Sequence, residues 1–215
     1  MAVKAKICGI NSREAAAAAA AGGASHIGLV FYPPSPRFVT PEQAAGLAAV
    51  VPARVKKVGL FVDSTDESIA FILEQVPLDV LQLHGAESPE RVQAVKAAFG
   101  LPVMKAVKVA GPQDVVVAER YVGVADWLLF DAKAPESMTG ALPGGNALIF
   151  DWELLAGRAW SKPWMLSGGL TAGNVDEAVR ISGAEAVDVS SGVESRPGRK
   201  DPRLIAAFLE AVAGL

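Results

Sequence analysis

Residues 164–192 read WMLSGGLTAGNVDEAVRISGAEAVDVSSG. A short apolar run, Trp164–Leu166, ends in Ser167-Gly168-Gly169. Asn174, with Glu177 three residues on, then has the form of a capping box that opens a helix over 174–182. A second apolar run, Ala186–Val189, ends in Ser190-Ser191-Gly192. The two runs are mostly continuous rather than alternating, which suits parallel strands buried on both faces. Strand, glycine turn, helix and strand together make a βαβ unit.

The same unit recurs towards the N-terminus. Further strand candidates are Val3–Ile7, Ile27–Val30, Val58–Val62, Val80–Leu83, Val103–Val107 and Trp127–Phe130. Alanine-rich amphipathic stretches lie between them, with helices expected over 11–20, 41–51, 66–76, 89–99, 112–121 and, at the end, 202–213. Asn11 with Glu14 and Ser64 with Glu67 read as capping boxes, while Thr40-Pro41, Ser88-Pro89 and Asp201-Pro202 set a capping residue before a helix-opening proline. After the sixth strand only Trp152–Leu155 offers a short helix. Eight units in 215 residues leave about 27 residues to each, which predicts an α/β fold of one (β/α)8 barrel domain over residues 1–215. The rival is a doubly wound open sheet, but Cys8-Gly9-Ile10-Asn11 after the first strand lacks the glycine fingerprint that such sheets often carry there.

Composition narrows the class. Apolar residues make up 51% and charged residues 20%, so a chain of this size has the means to build a core and is not disordered. Lys plus Arg number 20 against 23 acids, net −3, with no basic block, which argues against nucleic acid as a partner. One cysteine cannot form an internal disulfide, and a reducing cytoplasm is the simpler setting. The run Ala15–Ala21 follows Lys4, Lys6 and Arg13 and mimics a leader peptide, but Glu14 abuts it and Gly22-Gly23 ends it; it reads as a helix. No stretch is long and apolar enough to predict a membrane span.

Two connections are long: the proline-rich Phe31–Val39 and the glycine-rich Ala132–Phe150. Loops of this length are often lids or binding loops, and in a barrel both fall on the C-terminal face where active sites are built. On that face, Gly168 and Gly169 after strand 7 and Ser190, Ser191 and Gly192 after strand 8 are placed to hold a phosphate; otherwise they are ordinary turns. Cys8 ends strand 1 as a base or as a small buried hydrophobe. Asp131 ends strand 6, facing the mouth, or else serves as a helix cap or pairs with Lys133. Arg37, stiffened by its flanking prolines, suits a carboxylate ligand or lies solvated on the surface. His84 ends strand 4 as an acid, a base or a polar wall. Asp63, Lys105 and Lys108 line the mouth or are structural, and Asp188 is a candidate buried partner that shapes the phosphate loop. With only two histidines, a multi-histidine metal site is not expected.

Lys6-Ile7-Cys8-Gly9-Ile10, Ser35-Pro36-Arg37, Gln82-Leu83-His84-Gly85, Phe150-Asp151-Trp152, Leu166–Leu170 and Asp188–Glu194 occur in one order. In this the chain resembles the phosphoribosylanthranilate isomerase family of tryptophan biosynthesis over essentially its whole length. The resemblance implies an Amadori rearrangement of a small phosphorylated substrate, with no cofactor or metal. It implies Cys8 as general base, Asp131 as general acid, Arg37 near the anthranilate end, His84 in contact with substrate, and the loops after strands 7 and 8 on phosphate. It also implies a monomer or a homodimer. The Gly-Gly-Thr-Gly run that the family often carries before Phe-Asp-Trp is replaced here by Leu142-Pro143-Gly144-Gly145-Asn146-Ala147. A ProFAR-isomerase-like barrel would want aspartate where Cys8 stands. An indole-glycerol-phosphate-synthase-like one would rely on lysine and glutamate and usually a longer N-terminus. A non-catalytic phosphate-binding barrel would not need Cys8 and Asp131 together.

Overall fold

The structure, a computed structural model, describes residues 2–135, 137–140 and 142–215. Eight parallel strands close into a barrel in sequence order: β1 Lys4–Cys8, β2 His26–Val30, β3 Lys56–Phe61, β4 Val80–Leu83, β5 Val103–Val109, β6 Trp127–Ala132, β7 Trp164–Leu166 and β8 Ala186–Val189. Helices α1 Arg13–Ala21, α2 Pro41–Ala48, α3 Asp66–Leu73, α4 Pro89–Phe99 and α5 Pro112–Ala118 follow the first five strands. A 3-10 turn, Trp152–Leu155, follows β6; α6 Val175–Ser182 follows β7. After β8 comes a small antiparallel hairpin, β9 Glu194–Arg196 and β10 Arg199–Lys200, before the last helix, α7 Pro202–Ala213. The expected barrel, its strand order and the short turn after β6 are all present. The hairpin is not visible in the sequence pattern.

Helix starts follow local side-chain chemistry. Thr40, Ser88 and Asp201 cap α2, α4 and α7 before prolines, as expected. Two caps sit one residue later than expected. Ser12 rather than Asn11 caps α1, because the Asn11 amide donates to the Gly198 carbonyl. Thr65 rather than Ser64 caps α3, the Ser64 hydroxyl being turned to the Val62 carbonyl. Asn174 precedes α6, but its side-chain oxygen accepts from Thr171 instead of the first helical turn. The alanine run of α1 buries Ala15, Ala16, Ala19 and Ala20, and such small side chains let the helix lie close to the barrel and to α7.

Strand alternation sorts the two cores. Ile7, Ile27, Leu29, Phe61, Leu81, Leu83, Leu128, Phe130 and Val187 point outward under the helices in the main core. The intervening residues point into the lumen. Low in the barrel these are apolar: Val58, Val80, Met104, Ala106, Leu129, Met165 and Ala186 pack against one another. Two residues further along the same strands the lumen turns polar, with Gln82 beyond Val80, Asp131 beyond Leu129, Ser167 beyond Met165 and Asp188 beyond Ala186.

Candidate active site

The polar layer forms the floor of a cavity at the C-terminal face. Cys8, Arg37, His84, Asp131, Gly168, Gly169, Ser190 and Ser191 all line it. All eight are candidates from the sequence, and the fold brings them together from six different βα units. Gly192 does not line it; an added Cβ there would meet the Leu170 carbonyl oxygen at 1.9 Å, so Gly192 is where the loops after β7 and β8 touch.

Cys8 ends β1, buried, with Gly28 of β2 beside it: a Cβ at 28 would lie 2.9 Å from Sγ. Burial pushes the Cys8 thiol up from its ordinary range, while the Lys6 ammonium and that of Lys200 pull it down and Asp188 adds to the rise. Lys6, two residues back on the same face, is fully buried and donates to Asp188 Oδ1 at 2.8 Å. Burial opposes the Lys6 charge, but Asp188 and Cys8 outweigh it and the Lys6 pKa is raised. Asp188 also accepts from the Ser167 hydroxyl at 3.1 Å. The pair thus lies under both the thiol and the loop after β7.

Across the lumen, Asp131 is the penultimate residue of β6. It does not pair with Lys133, which bonds Asp114 instead. Asp131 Oδ1 accepts from the Ala132 amide, and Oδ2 lies 3.2 Å from His84 Nε2. The Gln82 amide nitrogen lies 2.7 Å from His84 Nδ1. His84 thus bridges Gln82 and Asp131, with one ring nitrogen facing each. Gly144 of the long loop after β6 covers this pair: a Cβ there would stand 2.7 Å from His84 Nε2 and 2.8 Å from Asp131 Oδ2.

Arg37 is buried, not solvated. Its Nε and Nη2 donate to the two oxygens of Glu194 at 2.8 and 2.9 Å, and Nη2 also reaches the Gly145 carbonyl at 3.2 Å. Lys200 Nζ donates to Glu194 Oε1 at 2.7 Å and to the Ser190 carbonyl at 2.9 Å. The Ser190 hydroxyl in turn donates to the Cys8 carbonyl. Burial works against the Glu194 carboxylate, yet the two cations hold its pKa below the usual range. Beside the phosphate candidates, Gly168 and Gly169 adopt φ of 92° and 61° and lie against the Leu148 carbonyl, positions that only glycine fills without strain.

Two further candidates, Lys105 and Asp63, are structural. Lys105 points out of the lumen, into the side of the barrel, where it pairs with Glu87 at 2.7 Å. Asp63, at φ 46°, accepts from the Ala86 amide. Neither they nor Lys108 line the cavity. Lys6, Gln82, Glu194 and Lys200 went unread in the sequence. For Lys6 and Gln82 a signal existed, since each lies two residues before a candidate and therefore on the same face. For Glu194 and Lys200 none did, because they depend on the hairpin.

Comparison with known proteins identifies the family. Residues 5–211 match the family model described as N-(5'-phosphoribosyl)anthranilate (PRA) isomerase. The N-(5'-phosphoribosyl)anthranilate isomerase of Rhodospirillum centenum is 63% identical over 215 residues, covering 100% of both chains. That of Paramagnetospirillum magneticum is 57% identical over 214 residues, covering 100% of this chain and 99% of the other. Among solved structures, phosphoribosyl anthranilate isomerase from Thermotoga maritima superposes with a TM-score of 0.88 at 38% identity, over 99% of this chain and 100% of that one. A phosphoribosyl anthranilate isomerase in complex with reduced 1-(o-carboxyphenylamino)-1-deoxyribulose 5-phosphate superposes with a TM-score of 0.85 at 36% identity, over 99% of this chain and 100% of that one. A family match over nearly the whole chain, on a barrel whose mouth gathers the same motif residues, leads to one conclusion: this chain belongs to the N-(5'-phosphoribosyl)anthranilate isomerase family.

Proposed function

We propose that this chain catalyses the Amadori rearrangement of N-(5'-phosphoribosyl)anthranilate to 1-(2-carboxyphenylamino)-1-deoxyribulose 5-phosphate, by acid–base chemistry without a cofactor. The observation that carries the reading is that Cys8 and Asp131, on β1 and β6, line one cavity whose rim holds the glycine and serine turns after β7 and β8.

In this reading Asp131, as the protonated carboxyl held beside His84, gives its proton to the furanose ring oxygen and becomes a carboxylate. The C1′–O bond breaks as the nitrogen lone pair forms the iminium. Cys8, as thiolate, removes the acidified C2′ proton, and the electron pair moves towards nitrogen to give an enolamine. The enolamine tautomerises to the ketone, so the product is an isomer of the substrate. Each of the two groups supplies roughly 10²–10⁴-fold. Lys6 and Lys200 support the thiolate form of Cys8 against burial. Gly168, Gly169, Ser190 and Ser191 anchor the phosphate, remote from the reacting carbons, and fix the sugar between acid and base. Gly192 serves the same loops by allowing their close approach. Arg37 takes the anthranilate carboxylate.

The substrate is the only partner this chemistry needs. The reading goes with one barrel domain over residues 1–215, working in the cytoplasm as a monomer or homodimer. Among the described residues no helix is long and apolar enough to cross a membrane. The test is to generate phosphoribosylanthranilate in situ and follow loss of its fluorescence with wild type and Cys8→Ala side by side. Protein-dependent decay that disappears in the variant supports reaction and base together. Folded wild type with no decay sinks the reading.

A further inference from the structure

We propose that Glu194 is the positioning residue for recognition of the aromatic carboxylate: it fixes the Arg37 guanidinium so that one nitrogen, Nη1, meets the substrate. This rests on the assignment of Arg37 to the anthranilate carboxylate.

The Glu194 carboxylate is saturated. Oε1 accepts from Arg37 Nε at 2.8 Å and from Lys200 Nζ at 2.7 Å. Oε2 accepts from Arg37 Nη2 at 2.9 Å and from the Gly198 amide at 3.2 Å. With two donors on each oxygen and its side chain buried, Glu194 has nothing left to offer a ligand. Its whole effect passes through what it holds.

What it holds is an arginine with most of its donors committed. Nε and one Nη2 hydrogen go to Glu194, and the other Nη2 hydrogen goes to the Gly145 carbonyl. Among the described residues Nη1 has no partner, and Arg37 lines the cavity. Nη1 also lies against the loop after β6, where a Cβ at Gly145 would approach it to 2.5 Å. A side-on, two-nitrogen contact would have to break an existing bond, so the geometry selects an end-on contact through Nη1.

Charge points the same way. One carboxylate stands between two cations, leaving one net positive charge at the wall. Lys200, the second cation, is also bonded to Ser190, beside the phosphate turn. Glu194 therefore converts Arg37 from a free charge into an oriented donor. The hairpin is keyed to the arginine loop: Gly198, at φ 78°, is so close to Pro36 that a Cβ would stand 2.3 Å from its carbonyl oxygen.

The test uses two inhibitors, the reduced carboxyphenylamino-deoxyribulose 5-phosphate and its counterpart made from aniline, which lacks the carboxyl. The reading is the ratio of their inhibition constants in wild type, Glu194→Gln, Glu194→Asp, Arg37→Ala and the Arg37→Ala/Glu194→Gln double variant. Loss of preorganisation is expected to lower the preference for the carboxyl-bearing inhibitor roughly tenfold in Glu194→Gln, with binding of the carboxyl-free one changed by less than about twofold. The double variant should discriminate no worse than Arg37→Ala alone. A wild-type ratio in Glu194→Gln, parallel weakening of both inhibitors, or additive losses in the double variant would overturn the proposal. If Glu194→Gln does not fold, Glu194→Asp, which keeps the charge and withdraws it by one methylene, is read by the same criteria. Wild type that fails to turn over phosphoribosylanthranilate removes the functional reading itself; active wild type with an unchanged variant ratio removes only the role of Glu194.

Discussion

The lower and upper halves of the barrel lumen are built from the same strands and have opposite characters. Below, Val58, Val80, Met104, Leu129 and Met165 interlock without a charge among them. Above, Lys6, Gln82, His84, Asp131 and Asp188 are just as buried but bond to one another. A buried methylene stabilises wherever it packs, whereas a buried charge stabilises only while its partner is in place. The lower layer is thus expected to tolerate change as a graded loss of stability. The upper layer is expected to fail through chemistry and pairing.

The sharpest expected difference is in rate. Cys8→Ala and Asp131→Asn should each lower kcat at least about 10²-fold with substrate still bound, and near-normal turnover in either would strip that residue of its role. Next is the charge pair. Lys6→Met leaves Asp188 buried without its cation and should cost about 3–5 kcal/mol in urea denaturation. The Lys6→Met/Asp188→Leu double variant should regain most of that stability and none of the activity; recovered activity would show that the pair only fills space. In the lower layer, Met165→Ala should cost about 2–5 kcal/mol and leave kcat within a few-fold at 25 °C. A loss of kcat beyond about tenfold would erase the contrast between the layers.

A smaller effect is expected at the very bottom of the barrel. His26 is buried against the edge of Trp127. Burial, with Lys6, Lys4 and Lys56 adding to it, lowers its pKa to about 4 from 6.5. The folded state therefore holds His26 neutral where the unfolded chain binds a proton. Its contribution is complete above pH 6.5 and is lost as pH falls towards 4, up to about 3 kcal/mol in all. His26→Gln should flatten melting temperature against pH in that window; an unchanged slope would place the loss elsewhere. The smallest expected effect is that of a chelator, which should leave turnover unchanged, and a loss restored by added metal would overturn the metal-free mechanism.

The sequence carried the barrel because its strands are continuous apolar runs and its helices are punctuated by Thr40, Ser88 and Asp201 before prolines. Cys8, Asp131, His84 and the glycine turns were legible for a related reason: each follows directly on a strand and so must emerge at one end of the barrel. Arg37 was legible as a residue but not in its surroundings. Its partner lies 157 positions away, on a hairpin too short to leave a periodic pattern. The shifted cap at Ser12 has the same origin, since Asn11 is drawn off by Gly198, 187 residues distant. Local chemistry reads from the chain; a bond spanning the barrel does not.

The Lys6–Asp188 bond closes the seam between the first strand and the last, across 182 positions. On a ribosome adding roughly 5–20 residues each second, Lys6 emerges some 10–40 s before the aspartate that will neutralise it. For that interval the nascent chain carries an unmatched ammonium in a strand destined for the interior. The seam is thus also a clock: this buried charge pair forms only when synthesis is nearly finished.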